Sequence, residues 1–390
     1  MKKYIFILGQ NPELSKQEII TIIKKNRGII KNISNLYIIA KINIKPKNLI
    51  NILGGTIKIL EYQENINNLK NLNIFKYIKK ELNKKKKNNF GFSIYNSSNK
   101  EYHEILKYFL KSKKELKSQG YKIRLVTSKE KILSSVIITK NNLLNKEIII
   151  IKDHNNYLIG LTKAVQDFAK YGQRDMLRPV RDSKTGMLPP KLAQIMINLA
   201  GLNNNKILLD PFCGSGTILQ EALLLGFNNV IGTDISQKAV NNSKKNTTWL
   251  KNKFNISNSV KIQTLAVQNL SKHFKKNSID LIITEPFMGN ANLIQKTNNL
   301  KILKSIKYEL QELYLKAFQE FKKILSPSGK IVFIFPIINN IYTFEKKIIS
   351  KINFKLIKPD LKTNNLSLNN NLIYARDNQK VKREITIWKN

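Results

Sequence analysis

The chain has 390 residues, 42% of them apolar and 24% charged, which is enough for real hydrophobic cores and too long for one small module, so two or three domains are expected. Its formal net charge is +42, a broad positive potential that fits a polyanion such as nucleic acid, although a chain crowded with Lys, Asn and Ile also follows from AT-rich codon usage. A single Cys and three scattered His exclude a disulfide framework or a zinc site of ordinary spacing, and no apolar run approaches the ~18 residues that cross a bilayer, so the expectation is a cytoplasmic protein with no metal and no membrane segment.

From the start of the chain, Lys3 to Leu8 reads as a strand, Ser15 to Lys25 as a helix capped by Ser15, and Tyr37 to Ile42 as a second strand, making the first sixty residues a small α+β unit. Gly54 and Gly55 punctuate its later part. The lysine-rich stretch Lys79 to Lys87 reads as a solvated loop or helix end before the strand-like run Phe90 to Tyr95. Tyr102 to Gln119 has helical spacing and is closed by Gly120; Tyr121 to Thr127 and Ser135 to Thr139 read as strands, followed by a strand pair at Glu147 to Ile151 and Tyr157 to Leu161. The Asn-rich patches Asn290 to Asn299 and Lys362 to Asn371 read as surface loops.

Three of the seven arginines, Arg174, Arg178 and Arg181, fall within one short stretch. A planar guanidinium suits phosphate, so these are candidate phosphate contacts, with ion pairs to Asp175 or Asp182 as the competing reading.

After residue 206 the pattern becomes α/β. Ile207 to Leu209 is a short apolar strand, Thr217 to Gly226 an apolar helix and Val230 to Gly232 a second strand, which together make a βαβ unit of a parallel sheet. The intervening turn, Asp210-Pro211-Phe212-Cys213-Gly214-Ser215-Gly216-Thr217, lies at the carboxyl edge of the sheet, where open α/β folds bind ligands. Its two glycines allow close approach of a ligand. Leu219 stands where a dinucleotide fingerprint needs its third glycine, and the Gly-Lys-Ser/Thr ending of a phosphate loop is missing. Asp234, at the end of the second strand, is placed to take the hydroxyls of a ribose, or else to cap the helix that starts near Gln237. Cys213 has no neighbouring base and reads as a small loop residue.

The string Asp210 to Thr217 followed by Gly232-Thr233-Asp234 resembles the first two motifs of amino-directed methyltransferases that act on RNA, and Gly186-Met187-Leu188-Pro189-Pro190-Lys191-Leu192-Ala193 resembles the segment preceding this domain in THUMP-containing tRNA guanine-N2 methyltransferases. The resemblance runs over nearly the whole chain and is firmest from Gly160 to Gly289. It implies S-adenosyl-L-methionine as cofactor, held by Asp210, Pro211, Gly214, Gly216, Thr217, Asp234 and Ile235, with Leu188 and Pro189 walling the site. It implies tRNA as partner and strengthens the phosphate reading of Arg174, Arg178 and Arg181. The architecture it implies is a ferredoxin-like α+β piece (1–70), a THUMP domain (71–162), a connector (163–190) and a Rossmann-like α/β methyltransferase (191–390) with a mostly parallel sheet.

In that family the fourth strand, here Ile279 to Ile283, ends in Asp/Asn-Pro-Pro-Tyr/Phe, whereas this chain reads Thr284-Glu285-Pro286-Phe287-Met288-Gly289. Methylating an exocyclic amine calls for an acceptor for its hydrogens and a flat side chain to hold the base. One alignment makes Glu285 the acceptor, with the Pro286 carbonyl beside it and Phe287 stacking one position early. The other keeps Phe287 as the aromatic residue and puts Thr284 on the acidic position. Glu285 is preferred because a hydroxyl is the weaker acceptor. Near the third strand Ala266 replaces the usual acid facing the adenine amine, leaving Gln268 nearby. The chain then continues with a helix over Ser305 to Leu325, a strand over Lys330 to Phe335 broken by Pro336, and a closing hairpin, Leu372 to Arg376 with Val381 to Trp388, turning at Asp377-Asn378. The resulting reading is transfer of a methyl group to N2 of a tRNA guanosine; a ribosomal RNA target and a non-catalytic tRNA-binding protein are the alternatives.

Overall fold

The computed structural model describes residues 1–181, 187–345, 352–376 and 379–390. In chain order its first elements are β1 (Lys2–Leu8), α1 (Pro12–Lys25), β2 (Ile29–Ile33), β3 (Tyr37–Ile42), α2 (Pro46–Ile52), β4 (Thr56–Ile66), α3 (Ile74–Ile78), β5 (Asn88–Tyr95), α4 (Asn99–Ser118), β6 (Ile123–Val126), α5 (Ser135–Lys140), β7 (Glu147–Asp153) and β8 (Asn156–Val165). There follow α6 (Phe168–Met176), α7 (Pro190–Leu199), β9 (Ile207–Asp210), α8 (Thr217–Leu224), β10 (Asn229–Asp234), α9 (Gln237–Phe254), β11 (Ser259–Thr264), α10 (Leu270–His273), β12 (Ile279–Thr284), α11 (Ala291–Lys296), α12 (Leu300–Ile324), β13 (Leu325–Ile338), β14 (Ile341–Tyr342), β15 (Lys355–Ile357), β16 (Leu372–Tyr374) and β17 (Val381–Lys389).

Two compact units are formed, one from residues 1–9, 26–51 and 56–168, the other from 10–25, 52–55 and 169–390. In the first unit a single sheet runs β2-β3-β1-β4-β8-β7-β5-β6. The boundary expected at residue 70 therefore falls inside a continuous sheet: β4 pairs antiparallel with β8 from Lys58↔Val165 to Ile66↔Tyr157. Backbone hydrogen bonding between β4 and β8 joins the two pieces that the resemblance divides at residue 70.

Local chemistry explains several departures from the sequence reading. Ser15 lies inside α1 and does not cap it; its hydroxyl donates to the Asn11 carbonyl at 3.0 Å. The segment Ser135 to Thr139 is helical, because Ser134 accepts from the Ile137 amide and a side-chain cap outweighs the strand preference of a β-branched run. Similarly, Asn290 caps α11 inside the patch expected to be a loop. Strand β13 continues through Pro336, and its partner β17 is antiparallel, as the closing hairpin requires; the turn expected at Asp377-Asn378 lies outside the described residues.

The second unit holds an open sheet ordered β11-β10-β9-β12-β13-β17-β15, parallel from β11 to β13. Successive side chains alternate between its faces. Leu208, Leu281, Ile283, Val332 and Ile334 join the core formed with α7 and α8, whereas Leu209, Ile282, Ile331 and Phe333 join the core formed with α12, as does Ile279 ahead of the register shift in β12. Burial on both faces is why these strands read as unbroken apolar runs. The helix α1 packs in this unit, where Leu14 enters the first of these cores. Trp388 is buried against Phe318 and Phe344, a packing role.

Candidate active site

From β9 the chain moves outward to β10 and β11 and then returns to β12 on the other side of β9, so the carboxyl ends of β9 and β12 flank a topological switch point. Two loops leave the sheet there, 211–216 and 285–290. They are tied at their roots: the Thr284 hydroxyl donates to Asp210 Oδ1 at 2.6 Å, and the Phe212 amide donates to the same oxygen at 3.2 Å. Asp210 is 2% exposed, and burial, opposed by these two hydrogen bonds, pushes its carboxyl up to about 7.

Gly216 has φ +84°, and a Cβ there would collide with the Ser243 hydroxyl, so the turn into α8 requires glycine twice over. A Cβ at Gly214 would meet nothing nearer than the Phe212 carbonyl at 4.0 Å, which leaves that backbone open to a ligand. Pro211 is buried beneath the turn, and burial pushes the Cys213 thiol well up, as befits a packing residue and not a nucleophile.

Asp234 accepts from the Gly214 amide and the Ser236 amide, both at 2.9 Å, so one carboxylate joins the end of β10 to the glycine turn. The cap of α9 is Ser236, which accepts from Ala239. Ile235 is 74% exposed beside Asp234, an apolar surface free for a flat ring. The charges of Asp234 and Glu285 both raise the Asp210 carboxyl, so three carboxylates surround this point in a chain of net charge +42. Such a cluster favours a cationic ligand.

The segment after β12 separates the two candidate acceptors. Thr284 is fully buried and committed to Asp210, so it is corrected here from a substrate-facing group to a structural tie. Glu285 is partly exposed and receives a 2.5 Å hydrogen bond from Arg383 Nε of β17. Pro286 is buried, and Phe287 projects with 57% exposure. Tyr314 of α12, fully buried, donates to the Phe287 carbonyl at 2.7 Å and so fixes the backbone that carries both side chains. Sequence reasoning missed Arg383 and Tyr314. The only signal for Arg383 was the rarity of arginine, one of seven in the chain.

The arginine stretch is also corrected. Arg174 is 7% exposed and pairs with Glu221 through Nε at 2.7 Å and Nη2 at 3.2 Å, so it is an internal ion pair, with a partner other than Asp175 or Asp182. Arg178 is 3% exposed and donates from Nη1 to the Thr217 hydroxyl at 2.8 Å. Neither guanidinium lies on the surface that an RNA backbone would meet; of the three, Arg181 alone is exposed. Asp182 and Gly186 lie outside the described residues. Leu188 is buried in the core beside Cys213 and Leu219, and Pro189 precedes α7 as its cap. Gln268 is exposed in the turn after β11, next to a half-buried Ala266.

A family model described as an RMKL-like methyltransferase domain matches residues 178–351, and one described as a DNA methylase matches residues 10–245. A probable tRNA (guanine(10)-N2)-dimethyltransferase of Methanothermococcus thermolithotrophicus is 31% identical over 115 residues, 28% of this chain and 70% of that protein. The chain belongs to the tRNA guanine-N2 methyltransferase family. Because the DNA methylase model covers more than half of the chain, the chain also belongs to the family that model describes. The tRNA (guanine(10)-N2)-dimethyltransferase of Methanocaldococcus jannaschii is 28% identical over 200 residues, 50% of this chain; the chain thus spans about half, 54%, of that relative's length. Among solved structures, TrmN from Thermus thermophilus has a TM-score of 0.57 at 13% identity, covering 99% of each chain, which shows a shared fold.

Proposed function

We propose that the chain transfers a methyl group from S-adenosyl-L-methionine to the exocyclic N2 of a guanosine in tRNA. The observation that carries the reading is the pairing, at one switch point, of the glycine turn 210–217 with an oriented carboxylate, Glu285, and an exposed aromatic ring, Phe287. The residues present fit the cofactor: open backbone at Gly214, a carboxylate at Asp234 and an exposed apolar Ile235. When bound, S-adenosyl-L-methionine supplies an electrophilic methyl group on a sulfonium.

The chain's own part is positioning. Glu285 and the Pro286 carbonyl accept the hydrogens of the guanine amine, which aims the nitrogen lone pair and takes up the developing positive charge. Phe287 stacks on a base drawn out of its helix. Asp210 and Thr284 hold the two loops in register from beneath. No step of this reading calls for a metal.

For the N-terminal unit we propose the ferredoxin-like and THUMP arrangement, with the net charge of +42 and the exposed Arg181 serving tRNA phosphates. No helix among the described residues is long and apolar enough to cross a membrane, and a cytoplasmic setting is part of the same reading. Incubating the protein with S-adenosyl-L-methionine and unmodified tRNA, followed by nucleoside mass spectrometry, tests the proposal. N2-methylguanosine or its dimethyl form is the expected product. Its absence, together with methylation of ribosomal RNA offered in a parallel incubation or with no methylation of either, would overturn the substrate assignment.

A further inference from the structure

Among the described residues Arg178 is a buried cation with no carboxylate bonded to it, although the charges of Asp175 and Glu221 lie near enough to favour its charged form. It is 3% exposed; Nη1 donates to the Thr217 hydroxyl at 2.8 Å, Nη2 to the Met187 sulfur at 2.8 Å, and Nε has no partner. The nearby carboxylate Glu221 is taken by Arg174 through both of its oxygens. Among the described residues none forms an ion pair with Arg178. A buried guanidinium with no directly bonded anion is costly, so this arrangement favours an anion arriving at the guanidinium. Burial, helped by the charge of Arg181, makes its proton easier to lose than usual, an effect that the charges of Asp175 and Glu221 only partly offset.

The place where Arg178 is anchored adds a second, independent feature. Thr217 is the first residue of α8, an eight-residue helix whose cap, Gly216, offers no side-chain acceptor to the first amides. Those amides carry the positive end of the helix dipole and favour an anion. A buried unpaired arginine and an uncapped helix start therefore meet at one residue, directly after the glycine turn assigned to the cofactor.

We infer that Arg178 and the start of α8 bind the amino-acid carboxylate of the cofactor, making Arg178 a cofactor-anchoring residue and not an RNA contact. This rests on the S-adenosyl-L-methionine reading of the 210–217 turn. It also divides that site by charge: the carboxylate of Asp234 on one side, the donors of Arg178 and α8 on the other, matching a ligand that is cationic at sulfur and carries a carboxylate at its far end.

The test is binding by the full-length protein, measured calorimetrically, of S-adenosylhomocysteine and of 5′-methylthioadenosine, which keeps the nucleoside and lacks the carboxylate. Wild type that binds neither ligand overturns the cofactor reading itself, whatever Arg178 does. If wild type binds S-adenosylhomocysteine, Arg178→Gln is expected to weaken it about tenfold or more while leaving 5′-methylthioadenosine within about twofold. Equal losses for both ligands, or no loss for either, would overturn the carboxylate assignment. Arg178→Lys, which keeps the charge and loses the fork, is expected to fall between the two. Should neither variant fold, wild type itself decides through the carboxyl methyl ester of S-adenosylhomocysteine, whose binding must be about tenfold weaker than that of the free acid; equal binding rejects the inference.

Discussion

Arg383 Nε donates to Glu285 Oε1 at 2.5 Å, across 98 residues of sequence, with both side chains largely shielded from solvent. The last strand of the sheet thereby orients the carboxylate at the mouth of the fourth. Arg383→Ala is expected to lower the turnover of methyl transfer by about a hundredfold, because a loosened acceptor loses the geometry it imposes on the amine. Binding of S-adenosylhomocysteine should be unchanged, and Arg383→Lys should recover part of the rate. If Arg383→Ala keeps full turnover, Glu285 needs no such support and its role as acceptor is wrong.

Phe287 is 57% exposed, so removing its ring takes little from the core. Phe287→Ala should leave the melting temperature nearly unaltered while lowering kcat/KM for tRNA by roughly 5- to 150-fold, the range expected for one lost base stack of about 1–3 kcal/mol. Phe287→Tyr should retain most activity. Equal kcat/KM for Phe287→Ala and wild type would remove the ring from substrate binding.

Arg174 and Arg181 should behave in opposite ways. Arg174→Ala leaves Glu221 buried and unpaired, which costs about 3–5 kcal/mol of stability. The double substitution Arg174→Met with Glu221→Leu should cost much less. Arg181→Ala, at an exposed position, should leave stability alone and weaken tRNA binding, lowering the dependence of log affinity on log salt by about one unit if it meets a single phosphate. An unaltered salt dependence would take Arg181 out of the RNA interface.

Burial holds the Asp210 carboxyl at about 7, above its ordinary 3.8, and the Glu18 carboxyl at about 7, above 4.5. Between those values the folded protein keeps protons that the unfolded chain releases. The associated stability is thus complete below about pH 4, is lost as pH rises toward about 7, and changes little beyond. Asp210→Asn keeps an acceptor for Thr284 and for the Phe212 amide, and should flatten part of this fall, leaving the share due to Glu18. Denaturant titrations between pH 4 and 8 check it; an undiminished slope in Asp210→Asn would mean that Asp210 is ionised in the fold.

What the sequence determined by itself was whatever local pattern controls. The apolar strands Ile207 to Leu209 and Ile279 to Ile283, the glycine turn between them in space and Asp234 at the end of β10 were all readable, because period, turn chemistry and strand ends are short-range properties. The short elements went wrong where one side chain outvoted a propensity, as Ser134 did for α5 and Asn290 for α11.

Partnership at long range was decided by the tertiary structure. Three arginines within eight residues looked alike, yet helix geometry and burial sent Arg174 to Glu221, Arg178 to Thr217 and Arg181 to solvent. Thr284 and Glu285 were competing acceptors until the alternation of β12 turned one beneath the sheet edge toward Asp210 and left the other facing Arg383. A charge reads the same in any sequence; its role depends on which opposite charge the fold brings within about 3 Å and on how much water remains.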